Sequence, residues 1–411
     1  MRILVVSSEV PYPATHGGKV DIWSRLQALA AAGAQLHLVC WPNQFAGEQV
    51  SDASRRAILA VVNGLTLFPM NRVFSRPAML LHCPSSATIR YVSDEALAPA
   101  MASLSQFAPQ AVLLDGLGAG LLAMRLSTQW QIPLFYRSHN IEHRYVAAQF
   151  RRARGARNRL IGLTNLFTTR RFEKKVLRAA QKYFDISCSD LQFWQQQGFS
   201  HGQWLPPYID GLKGQALSGA GPWTPNFDVA YVGNLYAPNN VEGVLWLLRE
   251  VLPLLIAERP ELRLLIVGSR PVPEVLAAAA QCGATLVPDP EDVVSHLRNA
   301  RVLVNPVFAG SGVNIKAVEM LFTQAALVST SIGLQGLPSH VCSLFAQADT
   351  SRDFADAVSA ALAADAEQEP SNRLTARAEF SPARATALLN VMQASVSSNG
   401  ADAGTTRAEV A

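Results

Sequence analysis

The feature that most constrains this chain is an alternation of short apolar runs with helix-like segments. RILVVSS (2–8) and QLHLVCW (35–41) are strand candidates, and the segment between them, 19–33, carries apolar residues at helical spacing. A strand, a helix and a second strand in this order are typical of a parallel sheet. Similar apolar runs recur at AVLLD (111–115), PLFYRS (133–138) and YFDIS (183–187).

The alternation stops and then begins again. The stretch 206–228 is rich in Gly and Pro and lacks periodicity, which is typical of a linker. Strand candidates resume at DVAYVGN, LRLLIVGS, ATLVPD, RVLVNP, ALVSTS and SLFAQA. We therefore predict two α/β domains at 1–205 and 228–380, joined by a linker at 206–227. We expect a final helix at 381–394 to pack back on the first domain, followed by a disordered tail at 395–411.

Composition excludes several classes of protein. The 411 residues suffice for two domains, and a net charge of +4 does not suggest a nucleic-acid partner. No apolar run reaches the roughly 18–20 residues of a membrane span, and the start MRILVVSSEVPYP fits a first strand better than a signal peptide. Five scattered cysteines favour a reducing compartment and disfavour a structural zinc site. We expect a cytoplasmic protein, with a peripheral position on the inner face of the cytoplasmic membrane left open.

Four stretches together resemble the glycosyltransferases of family 4. They are PYPATHGGK (11–19), RSHNIEHRY (137–145), YVGNLYAPNNVEGVLWL (231–247) and GSGVNIKAVEMLFTQAALVSTSIGLQGLP (310–338). The last is the most specific, because its G-x-G-x-x-x-K-x-x-E form resembles a bacterial exopolysaccharide-associated branch. The resemblance runs from Met1 to about Pro338. It implies the GT-B fold, in which two Rossmann-like domains with parallel sheets face each other across a cleft.

The resemblance makes GSGVNIKAVE (310–319) part of a site for a nucleotide-sugar donor, whose diphosphate gains negative charge as the sugar leaves. The glycines permit a tight turn, and we expect the helix to begin near Val313, so that its first amides face the diphosphate. The donor-binding candidates are Gly17, Gly18, Gly233, Asn234, Gly310, Ser311, Gly312, Asn314, Ile315, Lys316 and Glu319.

Two of these candidates have distinct roles in that site. Lys316 would add a positive charge and act in catalysis, while Glu319 would accept hydrogen bonds from the ribose, as the family's closing glutamate does. The same residues also fit a simpler arrangement, in which Ser311 caps the helix and Lys316 and Glu319 form a solvated i,i+3 pair.

The first domain has candidates of its own at strand ends. Gly17 and Gly18 lie at a strand–helix turn where amides can approach a phosphate or sugar, although a plain tight turn has the same pattern. His139 ends a strand, and the family's matching histidine lies by the reacting sugar, so His139 is the second catalytic candidate; a lone histidine also fits a structural role. Arg137 points to the same side of that strand, and Glu142 could orient either one. We assign both to the acceptor side.

The resemblance implies transfer of a sugar to a saccharide or lipid-linked saccharide in bacterial surface or exopolysaccharide synthesis, with retention at the anomeric carbon. It implies no metal and no cofactor, since the nucleotide sugar is a substrate. DPED (289–292) could suggest a metal site, but it precedes a helix-like segment. Asp289 and Glu291 fit helix N-terminal charges better.

Three departures from the family pattern leave alternatives open. Ser311 stands where the first of two glutamates is usual, and Asn234 and Asn239 stand where an arginine and a lysine are usual. Lys316 would then supply the missing charge. The alternatives are a nucleotide-sugar epimerase of the same fold and a non-catalytic member that binds a nucleotide or a glycan.

The segment 151–182 concentrates positive charge. It contains eleven Lys and Arg residues and a single acid, Glu173, with apolar residues between them. A long solvated helix has this composition. So does a surface that binds anionic lipid, where each contacting cation contributes about 1 kcal/mol.

Overall fold

The computed structural model describes residues 1–151, 156–219, 223–310, 312–364 and 371–408. The chain divides into two compact units. The first contains Met1–Tyr208 and the segment that begins at Pro382, and the second contains Ile209–Ser381.

The first unit is a parallel sheet with helices on both faces. Its strands are β1 (Arg2–Ser7), β2 (Gln35–Cys40), β3 (Gly64–Leu67), β4 (Ala111–Asp115), β5 (Leu134–Ser138), β6 (Lys182–Asp185) and β7 (Gly202–Trp204). Its first eight helices are α1 (Gly17–Ala31), α2 (Asp52–Leu59), α3 (Ser85–Thr88), α4 (Asp94–Phe107), α5 (Gly120–Trp130), α6 (Glu142–Arg151), α7 (Ala156–Ala179) and α8 (Cys188–Gln196). The strand order is β3-β2-β1-β4-β5-β6-β7.

The residues of β1 show why this sheet is buried on both faces. Successive side chains of a strand point to opposite faces. Leu4 and Val6 accordingly join one apolar core, while Ile3 and Val5 join another on the other side. Such strands appear in the sequence as continuous apolar runs, which explains why no hydrophobic–polar alternation marks them.

The second unit repeats the design. Its strands are β8 (Phe227–Val232), β9 (Leu264–Gly268), β10 (Thr285–Pro288), β11 (Ala300–Asn305), β12 (Ala326–Ser329) and β13 (Ala346–Gln347), in the order β10-β9-β8-β11-β12-β13. Its helices are α9 (Gly211–Ser218), α10 (Pro238–Trp246), α11 (Leu252–Glu258), α12 (Pro273–Gln281), α13 (Val293–Arg298), α14 (Ile315–Leu321), α15 (Ser339–Cys342), α16 (Ser351–Ala363) and α17 (Ser371–Glu379). The strands of this sheet pair in parallel. The predicted α/β class with two parallel-sheet units is confirmed.

The chain then returns to the first unit as α18 (Arg384–Ala408). Leu388, Leu389 and Met392 pack in the same core as Ile3 and Val5. Ser395 is also buried. The segment 395–411, for which we expected disorder, therefore begins as part of a packed helix.

The predicted linker 206–227 also differs from the structure. It contains α9, and the division between the units falls at Tyr208 and Ile209. Asp210 caps this helix, since its Oδ1 accepts hydrogen bonds from the amides of Leu212 (3.0 Å) and Lys213 (3.1 Å). An eight-residue helix with two Gly residues and only two large apolar residues has too little apolar periodicity to be found by spacing.

None of the helices among the described residues combines the length and the apolar character that crossing a membrane requires.

Candidate functional site

The strand orders fix where ligands are expected in each unit. The order reverses between β1 and β4 in the first sheet and between β8 and β11 in the second. Ligands of open parallel sheets bind beyond the carboxyl ends of the strands at such a switch point.

A pocket lies at the switch point of the second unit. Its volume is about 150 Å³, and it is lined by Asn239, Asn240, Val307, Ala309, Gly310, Gly312, Asn314, Ile332 and Gln335. Three predicted donor residues, Gly310, Gly312 and Asn314, thus share one cavity, together with Asn239. Ser311, between the two glycines, lies outside the described residues.

Asn314 shapes the loop that forms this pocket. Its Oδ1 accepts a hydrogen bond from the amide of Lys316 at 3.1 Å, and its Nδ2 donates to Oδ1 of the buried Asn305 at 3.3 Å. The helix therefore begins at Ile315 with Asn314 as its cap, two residues later than the predicted start at Val313. Gly312 has φ +73°, a left-handed conformation that favours glycine. The amide of Ile315 stays at the first turn, where a helix has no internal acceptor for it.

Gly233 and Asn234 follow β8 at the same edge of the sheet. A Cβ on Gly233 would lie 2.6 Å from the Tyr231 hydroxyl, so a larger residue does not fit. Asn234 is occupied within the protein, because its carbonyl oxygen accepts a hydrogen bond from Nδ2 of Asn240 at 3.0 Å. These contacts fasten the start of α10 to the loop after β8.

Lys316 is not the exposed cation that the sequence suggested. Its Nζ is buried 4.2 Å from the centre of the Tyr231 ring, and within the described part of the chain neither this Nζ nor the Tyr231 hydroxyl has a hydrogen-bond partner. Burial lowers the pKa of Lys316 from 10.5 to about 7, against the opposing influence of Glu319. The amine is thus poised between its neutral and charged forms near neutral pH.

Glu319 pairs with a lysine that sequence analysis missed. Its Oε1 contacts Nζ of Lys213, which lies on α9. The Glu319 side chain is 15% exposed. The alternative of a solvated Lys316–Glu319 pair is therefore incorrect, because the ion pair is made with Lys213.

The first unit gathers charged groups at its own switch point. Nε2 of His139 lies 2.6 Å from Oδ1 of Asp115, at the end of β4, and Nδ1 lies 3.5 Å from Oδ2 of Asp21, on α1. Arg25 donates to the same two carboxylates, at 2.7 Å to Asp115 and 2.8 Å to Asp21. Burial alone would raise the pKa of Asp115, but Arg25 and His139 hold it below its ordinary value. The His139 ring, 16% exposed, is thus fixed between two carboxylates.

Arg137 does not suit the predicted acceptor-side role. It is fully buried, donates to the backbone oxygen of Leu205, and lies 3.3 Å from Oδ2 of Asp21. Its position on β5 explains this, because the strand is covered on both faces. The guanidinium therefore supports the carboxylate that faces His139.

Glu142 begins α6, and its hydrogen bond is made with a residue other than the expected His139 or Arg137. Its backbone amide donates a hydrogen bond to Oε1 of Glu173 at 2.8 Å. Burial and the negative charge of Glu173 raise the pKa of Glu142 to about 7. The orienting contacts to His139 come instead from Asp115 and Asp21.

Two further charged groups belong to this edge. Glu9 follows β1, and its carboxylate lies 3.3 Å from His16; a Cβ on Gly18 would lie 3.4 Å from it. Arg90 donates to the backbone oxygen of Ser8 at 2.5 Å and to that of Ser86 at 2.9 Å. The first two residues of α1, Gly17 and Gly18, thus leave room beside Glu9. The position of Glu9 directly after the first strand could have been noticed in the sequence, whereas nothing local marks Arg90.

The DPED segment caps helix α13, through Asp292 rather than through the predicted Asp289 or Glu291. Oδ1 of Asp292 accepts hydrogen bonds from the amides of Val294 (2.9 Å) and Ser295 (3.3 Å) at the start of α13. Asp289 instead accepts from the amide of Arg270 at 2.9 Å. Among the described residues, no group of three or more His, Cys, Asp or Glu side chains is arranged to hold a metal ion.

One known protein is similar in sequence to this chain over most of its length. A Klebsiella pneumoniae protein, described as an uncharacterized 44.6 kDa protein in the cps region, is 25% identical over 350 residues, which cover 82% of this chain and 84% of that protein.

Three of the solved structures with the same fold have 9–13% sequence identity to this chain. Anabaena HepE in complex with UDP has a TM-score of 0.61 at 13% identity, covering 96% of this chain and all of that one. The lipopolysaccharide outer core galactosyltransferase WaaB has a TM-score of 0.59 at 12% identity, covering 96% and 99%. UDP-GlcNAc 2-epimerase from Methanocaldococcus jannaschii has a TM-score of 0.56 at 9% identity, covering 96% and 99%.

A match to a family model lies in the second unit. Residues 226–364 match the family model described as Glycosyl transferases group 1. This range contains the pocket, the loop with Gly310 and Gly312, and Glu319. The chain therefore shares the GT-B fold of these solved structures, and its second unit is similar to the glycosyl transferases group 1.

Proposed function

We propose that the protein is a glycosyltransferase that moves a sugar from a nucleotide-sugar donor to a saccharide or lipid-linked saccharide, in the synthesis of a bacterial surface polysaccharide or exopolysaccharide. The observation that carries the proposal is the pocket at the switch point of the second unit, which unites Gly310, Gly312 and Asn314. A group 1 domain match covers this pocket. A relative described as lying in a cps region and the fold shared with a lipopolysaccharide galactosyltransferase support the polysaccharide context.

The donor would occupy this pocket through its nucleoside diphosphate. The turn at Gly312 brings the backbone close to the ligand, and the amide of Ile315 would donate to a phosphate oxygen. The buried amine of Lys316 would interact with the diphosphate. The negative charge of the diphosphate would favour the charged form of this amine, and the positive charge would stabilise the leaving group. Lys213 contacts Oε1 of Glu319. Oε2 of the same carboxylate would accept hydrogen bonds from the ribose hydroxyls.

The acceptor would bind at the switch point of the first unit. Glu9, Arg90, His139 and Glu142 bring both signs of charge to the carboxyl ends of its strands. Carboxylates and a guanidinium suit the many hydroxyl groups of a saccharide. Both ring nitrogens of His139 face carboxylates, those of Asp115 and Asp21, so His139 would act on the reacting sugar through its charge rather than through a direct hydrogen bond.

We further propose that the enzyme acts as a family 4 member of the branch with the G-x-G-x-x-x-K-x-x-E motif, with retention at the anomeric carbon and without a metal. Backbone amides and Lys316 would take the electrostatic part that a divalent cation plays elsewhere. Activity that persists in excess chelator would support this, and loss that manganese or magnesium restores would contradict it. Proton NMR of the first product formed would show whether the configuration is retained.

The decisive experiment is incubation with a panel of UDP-, GDP-, ADP- and CDP-sugars, with and without lipid-linked saccharide acceptors. We expect release of the nucleoside diphosphate that depends on the acceptor. The fold shared with UDP-GlcNAc 2-epimerase supports one rival function, in which the nucleotide sugar is isomerised without an acceptor. Tight binding with neither reaction would identify the second rival, a non-catalytic binding protein.

A membrane contact through α7 is part of the proposal. Leu163 and Phe167 are 51% and 60% exposed, and they lie one turn apart. Arg159, Arg170 and Arg171 are exposed on the same helix. Exposed apolar side chains among cations suit the head-group region of an anionic membrane, where a lipid-linked acceptor would be found. Of the arginines that begin the basic segment, Arg152 and Arg154 lie outside the described residues.

Co-sedimentation with vesicles of phosphatidylglycerol and phosphatidylcholine would test this contact. We expect binding at low salt that weakens at high salt, because exposed charges are screened. Replacing Phe167 and Leu163 with Ser should weaken it at both salt concentrations, whereas Arg170→Gln with Arg171→Gln should weaken it mainly at low salt. A wild-type protein that never sediments at low salt would identify α7 as a solvated helix.

A further inference from the structure

Helix α9 carries Lys213, whose side chain contacts Glu319, the carboxylate that is proposed to bind the ribose. Oδ1 of Asp210 caps this helix and accepts a hydrogen bond from the amide of Lys213 at 3.1 Å, which holds the Lys213 backbone in the first turn. One residue later, a Cβ on Gly214 would lie 3.2 Å from the ring of Phe322, so the helix packs against the end of α14 at this point. Glu319 lies one turn before Phe322, and the Lys213 ammonium therefore reaches it.

The pair is made in partly buried surroundings. The Lys213 side chain is 34% exposed and that of Glu319 is 15% exposed, and the ammonium contacts Oε1 of the carboxylate. A carboxylate has two oxygens and about four acceptor positions, so this contact leaves Oε2 for other donors. The contact also limits rotation of the Glu319 side chain.

Lys316 does not have this role. Its Nζ lies over the Tyr231 ring, and its influence on Glu319 is through space rather than through a hydrogen bond. Asn234 and Asn239 are uncharged, and Asn234 is engaged by Asn240. The cation that touches Glu319 thus comes from a segment that the sequence places in a linker.

We propose that Lys213 is a positioning residue of the donor site, which holds Glu319 in the orientation that receives the two hydroxyls of a ribose. The inference rests on the proposed function, because it requires a ribonucleotide at the pocket of the second unit. Lys213 acts through Glu319 and not on the phosphates. Its effect must therefore depend on the two ribose hydroxyls, decreasing when the 2′-hydroxyl is removed, and on the presence of Glu319.

The experiment is isothermal titration of the full chain with UDP, GDP, ADP and CDP, followed by the 2′-deoxy form of the nucleotide that binds most tightly. For Lys213→Met, we expect about five- to tenfold weaker binding of the ribonucleotide, as for loss of a charge-assisted contact. The loss should be smaller, about two- to threefold, for the 2′-deoxy form, because only its 3′-hydroxyl remains to be received by Glu319. Lys213→Arg should restore ribonucleotide binding to within about twofold, because the cation is retained. Gln215→Met, at an exposed position of the same helix, is the matched control and should bind as the wild type does.

A double-mutant cycle completes the test. In a Glu319→Gln background, Lys213→Met should weaken binding by less than about twofold further, because the residue through which it acts has already lost its charge. A Lys213→Met variant that binds the ribonucleotide as tightly as the wild type would overturn the role of Lys213 alone. Equal losses for the ribo and deoxy forms, persisting without Glu319, would also overturn it, since they indicate a direct phosphate contact. A wild type that binds none of the four nucleotides would instead overturn the proposed function, and this inference with it.

Discussion

Replacing Lys316 with methionine should change how stability depends on pH. The amine is buried against Tyr231, and its pKa falls from 10.5 to about 7 in the folded protein. Methionine keeps a flexible apolar chain of similar length but removes the titrating group. The variant therefore tests whether this amine is desolvated in solution.

The sign follows from proton counting. Between about pH 7 and pH 10.5 the unfolded chain holds a proton on Lys316 that the folded chain has lost, so this group makes wild-type stability increase with pH. The contribution is about 1.4 kcal/mol per pH unit within that window. Below about pH 7 both states are protonated, and the destabilisation from burying the charge is fully present. Lys316→Met lacks this dependence, so its stability advantage over the wild type should be largest near pH 7 and should shrink as pH rises.

Urea denaturation of both proteins at about pH 7.5, 8.5 and 9.5 measures the difference. We expect the difference in unfolding free energy to fall by about 2–3 kcal/mol across this range. Lys175→Met on α7 is the matched control, because Lys175 is exposed. A Lys316 difference that stays constant with pH would refute the reasoning, since it would mean that the amine reaches solvent in the folded protein.

Three further predictions follow from the charged groups. Glu319→Ala should weaken binding of a nucleoside diphosphate by roughly 1.5–3 kcal/mol, as measured by titration calorimetry, and an unchanged affinity in a folded variant would remove Glu319 from the site. Burial and Glu173 raise the pKa of Glu142 to about 7, so wild-type stability should fall as pH rises from about 4.5 to 7, and Glu142→Gln should become progressively more stable than the wild type over that range in thermal melts. Asp115→Asn should lower the unfolding free energy by about 3–5 kcal/mol, because Arg25 and His139 lose a buried anionic partner. The control Asp94→Asn, at an exposed ion pair, should change the unfolding free energy by less than about 1 kcal/mol. Equal losses of the two variants in urea denaturation would contradict this.

Much of the fold could be predicted because it depends on local patterns. Apolar runs such as those of β1 and β4 mark buried parallel strands, and the segments between them are long enough for helices. The position of α9 could not be found in this way, since only two apolar residues with large side chains, Leu212 and Leu217, occur in it. Its cap, Asp210, was the one local indication of a helix start.

The candidate site could be predicted in part. The turn with Gly310 and Gly312 is a local feature, and the pocket contains both glycines. The partner of Glu319 could not be predicted, because Lys213 is 106 positions away in the sequence. The burial of Lys316 depends on Tyr231, which lies on a strand far from it in the chain. Contacts of this kind are set by tertiary packing, and spacing on one helix does not contain them.

The switch points of the two units treat their buried charges in opposite ways. At that of the first unit, Arg25 and Arg137 balance the charges of Asp21 and Asp115 without a ligand. In the second, the buried amine of Lys316 has no hydrogen-bond partner among the described residues. An uncompensated buried cation destabilises the free protein, and an anion that approaches it recovers that free energy. This asymmetry is a physical reason, independent of any sequence motif, to assign the anionic diphosphate to the second unit and the neutral hydroxyl groups of an acceptor to the first.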